Sequence, residues 1–170
     1  MPPRVFIDTN IIIEFHPLET WDWVALVGGK PDIYICLPVH RELNALKKHR
    51  STGKRKRAME FLELLAEVPP HRPLDKRTYR LNMRPEGLHP NARLHNGMPT
   101  PENRDEEVID CAASMFAYGL GAPNFLLTDD AGMISLATAL LTRFNARIIR
   151  APKSYRISPK PAKPSVALTT

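Results

Sequence analysis

Apolar residues in this chain come as short runs alternating with longer stretches of helical spacing. Val5-Phe6-Ile7 is the first run, and it reads as a buried strand that stops at Asp8-Thr9-Asn10. Ile11 to Val27 looks helical, with an interruption near Pro17, and Gly28-Gly29 ends it. Ile33 to Leu37 is a second short strand closed by Pro38, a residue suited to a helix start. Val39, Leu43 and Leu46 then recur at helical spacing, and Glu42 shares their side. Ala58 to Val68 predicts another amphipathic helix, with Met59, Phe61, Leu62, Leu64 and Leu65 as its apolar residues.

The second half repeats the alternation after a long interruption. Pro69 to Pro101 is rich in proline, with one short strand expected at Thr78 to Met83; a stretch this long is functional or disordered. Asp105 to Tyr118 predicts a helix ended by Gly119-Leu120-Gly121. Phe125-Leu126-Leu127 is a strand that stops at Thr128-Asp129-Asp130, Met133 to Leu141 a helix, and Arg147-Ile148-Ile149 a last strand. Short apolar strands between helices imply an α/β fold: a three-layer α/β/α sandwich around a mostly parallel sheet. Residues 1–150 form the expected domain, and 151–170 a basic, proline-rich tail expected to be disordered.

Composition narrows the class. The chain has 170 residues, 43% of them hydrophobic, which suits one domain with a substantial core. No apolar run is long enough to cross a bilayer, so no membrane association is expected. Met1-Pro2-Pro3-Arg4 leads directly into a strand without a secretory signal, and Cys36 and Cys111 both lie in apolar segments as free thiols. A cytoplasmic location is the expectation. The formal net charge of +6 favours polyanionic partners. The cations concentrate in one run, Lys47, Lys48, Arg50, Lys54, Arg55, Lys56 and Arg57, which reads either as a solvated helix end or as a phosphate-contacting patch. His89 and His95 lack metal-site spacing and suit structural or surface roles.

Two strands end in acid, at Asp8 and at Asp129-Asp130. If both are parallel, those ends share one edge of the sheet. Asp105 at a helix start can join that edge, and Glu42 comes from the helix after the second strand. An acid after a strand also serves as a helix cap, so Asp8 alone does not separate the two roles. Carboxylates that converge repel one another unless a cation intervenes, and oxygen-rich sites of this kind suit Mg²⁺ or Mn²⁺. Such ions support phosphodiester hydrolysis.

Phe6-Ile7-Asp8-Thr9-Asn10, Glu42 within Arg41-Glu42-Leu43, Asp105 ahead of Val108-Ile109 and Ala112, and Leu127-Thr128-Asp129-Asp130 together resemble the four acidic motifs of PIN-domain ribonucleases, over roughly residues 4 to 150. The resemblance implies a Mg²⁺- or Mn²⁺-dependent endoribonuclease. It implies Asp8, Glu42, Asp105 and Asp130 as catalytic metal ligands, with Asp129 competing with Asp130 and Asp110, less strongly, with Asp105. Thr128 would support the ligands and Asn10 would add a polar contact. Lys47, Lys48, Arg50, Lys54, Arg55 and Arg57 would hold nucleic acid, RNA first and DNA as the alternative. The long proline-rich segment and the basic run lean toward longer, non-toxin members. A homodimer and an antitoxin partner stay open, and so do a toxin role and a non-catalytic RNA-binding or scaffolding module.

Other phosphate-handling classes fit less well. A haloacid-dehalogenase-type phosphatase wants a second Asp where this chain has Asn10. A receiver domain wants its acidic pair near the first strand. The glycine-rich loop of P-loop NTPases is missing.

Overall fold

The computed structural model describes residues 1–84, 86–118 and 121–158. In chain order its elements are β1 (Arg4–Ile7), α1 (Thr9–Glu14), α2 (Trp23–Val27), β2 (Asp32–Cys36), α3 (Leu37–Leu46), α4 (Thr52–Ala66), β3 (Leu74–Lys76), β4 (Tyr79–Arg84), α5 (Pro90–His95), α6 (Arg104–Phe116), β5 (Asn124–Thr128), α7 (Ala131–Leu141) and β6 (Ala146–Arg150). The six strands form one sheet in the order β3-β4-β2-β1-β5-β6. Every pairing is parallel except β3 with β4. Helices flank the sheet, as the α/β/α sandwich requires. Among the described residues, no helix is long and apolar enough to cross a membrane.

β1 sits between β2 and β5, and this explains its composition. Val5, Phe6 and Ile7 have no exposed surface, because a central parallel strand is covered on both faces. Phe6 stacks on Tyr34 of β2 and meets Phe116 of α6 edge-on, with centroids 5.2 and 5.4 Å away. The parallel register runs Ile7 beside Leu127, so Asp8 and Thr128 leave the sheet side by side.

Several elements differ from the periodicity reading. Ile11 to Val27 is not one helix: α1 stops at Glu14, a 3-10 turn covers Leu18–Thr20, and α2 starts at Trp23. The indole N–H groups of Trp21 and Trp23 donate to the backbone carbonyls of His16 (2.9 Å) and Leu18 (2.8 Å). The break thus lets two large rings bury with their donors satisfied. α4 starts at Thr52, six residues before the expected Ala58, because Ser51 caps it by accepting from the Lys54 amide. Met59, expected on its apolar side, is exposed. The proline-rich interval holds β3, β4 and α5, where one strand was expected. Of the expected Gly119-Leu120-Gly121 stop, the first two residues lie outside the described ones, and Gly121 has φ 87°, a conformation glycine adopts freely.

The expected tail also changes at its start. Residues 151–158 pack onto the domain. Tyr155 stacks on Trp21, with centroids 4.6 Å apart, and its carbonyl accepts from the His16 amide at 2.7 Å. The Ile157 amide donates to Glu14. Arg156 adds ion pairs to Asp129 and Glu14, so one ring, backbone bonds and one basic residue hold the stretch to the domain. Residues 159–170 lie outside the described ones.

The interval between β4 and α6 is anchored by Asp110, the weaker alternative to Asp105. Its buried carboxylate accepts from the Leu88 amide (3.0 Å) and from Arg93 Nε and Nη2 (3.0 and 2.9 Å). Gly87 passes so close to that carboxylate that a Cβ there would collide with it. Asp110 therefore serves structure. Cys36 and Cys111 are buried and free, as expected. Their mutual hydrogen bond, together with burial, pushes the Cys111 thiol up, which keeps it protonated.

Breaking a buried ion pair by removing one partner costs about 3 kcal/mol, or about 6–12 °C for a domain of this size. Asp110→Ala is expected to lower Tm by that amount and to open the 86–98 interval to protease. A Tm within about 2 °C of wild type, under 1 kcal/mol by the same conversion, would contradict the anchoring role.

Candidate active site

The acidic positions are delivered by the edge where the parallel strands end. Asp8 follows β1 directly and is 1% exposed. It caps α1, its Oδ1 accepting from the Thr9 amide at 2.7 Å. The cap role is therefore real, and it leaves the second carboxylate oxygen free for another partner. Its Oδ2 accepts from the Thr128 hydroxyl at 3.1 Å. The same hydroxyl accepts from the Asp130 amide at 3.1 Å. Thr128 thus ties the ends of β1 and β5 together.

Glu42 reaches the edge from the second turn of α3. Its Oε2 accepts from the Thr9 hydroxyl at 2.6 Å. Asp105 stands in the first turn of α6, which Asn103 caps through the Glu106 amide. An acid-rich first turn is favourable there, since a helix N-terminus carries partial positive charge.

These three carboxylates meet on Arg104. Its Nη1 lies 2.7 Å from Asp8 Oδ1 and 2.8 Å from Glu42 Oε2, and its Nη2 lies 2.9 Å from Asp105 Oδ1. Nη1 also donates to Thr9 Oγ1 at 3.4 Å. Burial works to lower the pKa of this guanidinium, and the hydrogen bond to Asp8 with the charges of Asp8, Glu42 and Asp105 overcomes it, for a net rise. For Asp105 the balance goes the other way. Burial raises its pKa, Arg104 lowers it, and the charges of Asp8 and Asp130 raise it again. Asp130 therefore lies within electrostatic reach of Asp105. It also caps α7 through the Met133 amide at 2.9 Å.

The remaining expected residues divide. Asp129 points elsewhere: its two oxygens pair with Arg150 (3.3 Å) and Arg156 (2.7 Å). The Oδ1 of Asn10 is buried and lacks a hydrogen-bond partner among the described residues. Lys47, Lys48, Arg50 and Lys54 are exposed. Arg55 and Arg57 are half-buried and hold the fold. Arg55 donates to the His49 carbonyl at 3.3 Å, and Arg57 donates to the Ile13 carbonyl at the end of α1. Part of each side chain stays exposed beside the exposed cations of the run. His89 caps α5 through the Asn91 amide.

Sequence reasoning missed Arg104 and Thr9. Arg104 carries a signal in hindsight: it is the one cation in the first turn of α6, beside Asp105, Glu106 and Glu107. A cation is disfavoured at a helix N-terminus, so something nearby must hold it.

Among the described residues, no three acidic, histidine or cysteine side chains stand close enough to hold one ion. The Arg104 guanidinium stands between Asp8, Glu42 and Asp105. The donor set is nevertheless the right kind: hard oxygens from Asp8, Glu42 and Asp105 already directed at one cationic group.

A family model described as a PIN domain matches residues 5–143. Among solved structures, the chain is similar to a domain of a functionally unknown protein from Methanocaldococcus jannaschii DSM 2661, at 17% identity and a TM-score of 0.50, covering 88% of this chain and 93% of that one. At that identity the likeness concerns the fold alone. No curated protein matches the chain at a significant level.

The raised pKa of Asp105 sets a pH dependence. A carboxyl whose folded pKa exceeds its unfolded value binds its proton more tightly when folded. Its ionisation then costs stability as pH rises from the ordinary value of 3.8 through the folded one. Asp105→Asn is therefore expected to raise Tm at pH 7 in chelator, with the gain shrinking as pH falls toward 3.8. Thermal melts across that range check it, and a lower Tm for the variant at pH 7 would reverse the assignment.

Proposed function

Since the chain belongs to the PIN-domain family, whose members are generally nucleases that need a divalent metal and act on RNA, we propose that it is an endoribonuclease dependent on Mg²⁺ or Mn²⁺. The observation that carries this reading is the convergence of Asp8, Glu42 and Asp105, from three separate elements, on one cationic group at the edge where the parallel strands end. Three carboxylates on one guanidinium are more than a single ion pair needs. It suits a site that handles positive charge.

In this reading Asp8, Glu42, Asp105 and Asp130 hold the metal. Asp130 is preferred to Asp129 because the latter is committed to Arg150 and Arg156. When bound, the ion would supply an activated water and stabilise the leaving oxygen of the phosphodiester. The other residues supply position. Thr128 spends its hydroxyl proton on Asp8 Oδ2 and its lone pair on the Asp130 amide, which fixes where both acids point. Thr9 does the same for Glu42. Lys47, Lys48, Arg50 and Lys54, exposed between α3 and the start of α4, would contact the RNA backbone. The catalytic domain is taken as residues 1–150, with 151–158 packed against it.

One observation favours a second reading, a PIN-like module that binds RNA without turnover. Arg104 already sits between the acids, and a permanent guanidinium there would leave no place for a metal. Cleavage of single-stranded RNA with Mn²⁺ separates the two. Outer-shell partners of a metal ligand are worth about 10–100-fold in activity, and a direct ligand more. Thr128→Ala is expected to lose about 10–100-fold and Asp8→Asn more than about 100-fold on that scale. RNA binding with no cleavage by any form, wild type included, would select the module.

The basic surface is tested separately. Each phosphate contact on single-stranded nucleic acid contributes about 0.7 to the slope of log affinity against log salt. Replacing Lys47, Lys48, Arg50 and Lys54 by Ala is expected to flatten that slope by about 0.7 for each residue in contact. An unchanged slope would mark the run as a solvated helix end.

A further inference from the structure

We infer that Arg104 is a resident competitor of the metal: it neutralises the acidic cluster in the metal-free protein and must swing out before a divalent ion can enter. The inference rests on the assignment of Asp8, Glu42 and Asp105 as metal ligands and adds how the site is loaded.

The oxygens at issue are specific. The guanidinium takes Asp8 Oδ1, Glu42 Oε2 and Asp105 Oδ1 at 2.7, 2.8 and 2.9 Å. A Mg²⁺ or Mn²⁺ ion held by those oxygens would draw them in around a point between them, closer together than they now stand. It would then occupy the volume of the guanidinium nitrogens. Two positive groups cannot share the same lone pairs, so the two occupants exclude one another.

The position of Arg104 argues that this is an exchange and not a permanent plug. The residue opens α6, where the helix dipole disfavours a cation. Three carboxylates and, more weakly, the Thr9 hydroxyl hold its head group inward. The side chain keeps 32% of its surface exposed, so a path to solvent exists without unfolding the helix. Asp130, within reach of Asp105, makes no ion pair with Arg104, so an entering ion meets one carboxylate that the guanidinium does not hold. Once displaced, Arg104 would lie at the mouth of the site, where an RNA phosphate offers it a new partner.

The apparent affinity of a ligand falls by the fraction of protein in the competent state. If the guanidinium-out state holds about a tenth of the population or less, removing the guanidinium tightens metal binding at least about tenfold. Calorimetric titration with Mn²⁺, with no RNA present, should be run on the full chain and on Arg104→Gln, Arg104→Lys and Asp8→Asn. Arg104→Gln is expected to bind Mn²⁺ at least about tenfold tighter than wild type, to melt lower in chelator, and to show a larger Mn²⁺-induced rise in Tm. Arg104→Lys, whose single ammonium cannot fork across three carboxylates, should bind more tightly than wild type too, and it carries the comparison should Arg104→Gln fail to fold. Equal Mn²⁺ affinity in wild type and the Arg104 variants, lost in Asp8→Asn, would overturn the competition and leave the metal site standing. Mn²⁺ binding unaffected by Asp8→Asn would overturn both.

Discussion

The structure depends on how it manages negative charge at one edge of the sheet. Asp8, Glu42, Asp105 and Asp130 are brought there by four different elements, and close carboxylates raise one another's free energy unless something positive stands among them. Arg104 supplies that charge, with three short ion pairs from one side chain. The compensation is incomplete at Asp105, whose carboxyl stays above its ordinary pKa through burial and the charges of Asp8 and Asp130. At Asp105 the cluster is therefore a cost to stability when the carboxyl is ionised.

Topology explains why these four residues and not others. β1 is the middle of a parallel run, with β2 on one side and β5 on the other, so every strand end near it points the same way. Each following helix begins where its strand ends, and that places a helix start beside the neighbouring acids. Asp8 caps α1 and Asp130 caps α7, so each is fixed by backbone amides before any ligand is considered. Rigidity of this origin is useful chemically. Carboxylates held by caps and hydroxyls keep their directions without help from a ligand.

Much of this was legible in the sequence because it follows from short-range rules. A buried strand ended by an acid, twice, plus an acid at a helix start, is enough to place three of the carboxylates. What stayed hidden depends on partners far along the chain. β4 was expected near Thr78 to Met83, but its pairing with β2 was not visible, and β3 and α5 gave no signal through the prolines around them. Residues 151–158 looked like tail by composition, yet Tyr155 finds the Trp21 ring more than a hundred positions earlier. The basic run was visible as charge, but its division was not: Arg55 and Arg57 turn inward to backbone carbonyls, one at the end of another helix. Arg104 was hidden for the same reason. An arginine at a helix start signals that something must hold it, but not that Asp8 and Glu42, far back in the chain, are what does.

The choice between Asp129 and Asp130 shows a local rule that could have gone further. Thr128 ends a strand, and Asp130 keeps extended angles of φ −78° and ψ 118°. In extended chain, successive side chains point to opposite sides, so residues two apart share a side and adjacent ones do not. Thr128 contacts Asp8, so the same alternation sends Asp130 toward that site and Asp129 away from it. Asp129 then meets Arg150, at the end of the neighbouring β6, and Arg156 beyond it. Arg156 pairs in turn with Glu14 at the end of α1, so the outward aspartate helps bind the last described segment to the domain. Two identical neighbours thus acquire different partners from the pleat alone. Exchanging their roles would require a one-residue slip of β5, which would also turn Phe125 and Leu127 to the wrong faces of the sheet.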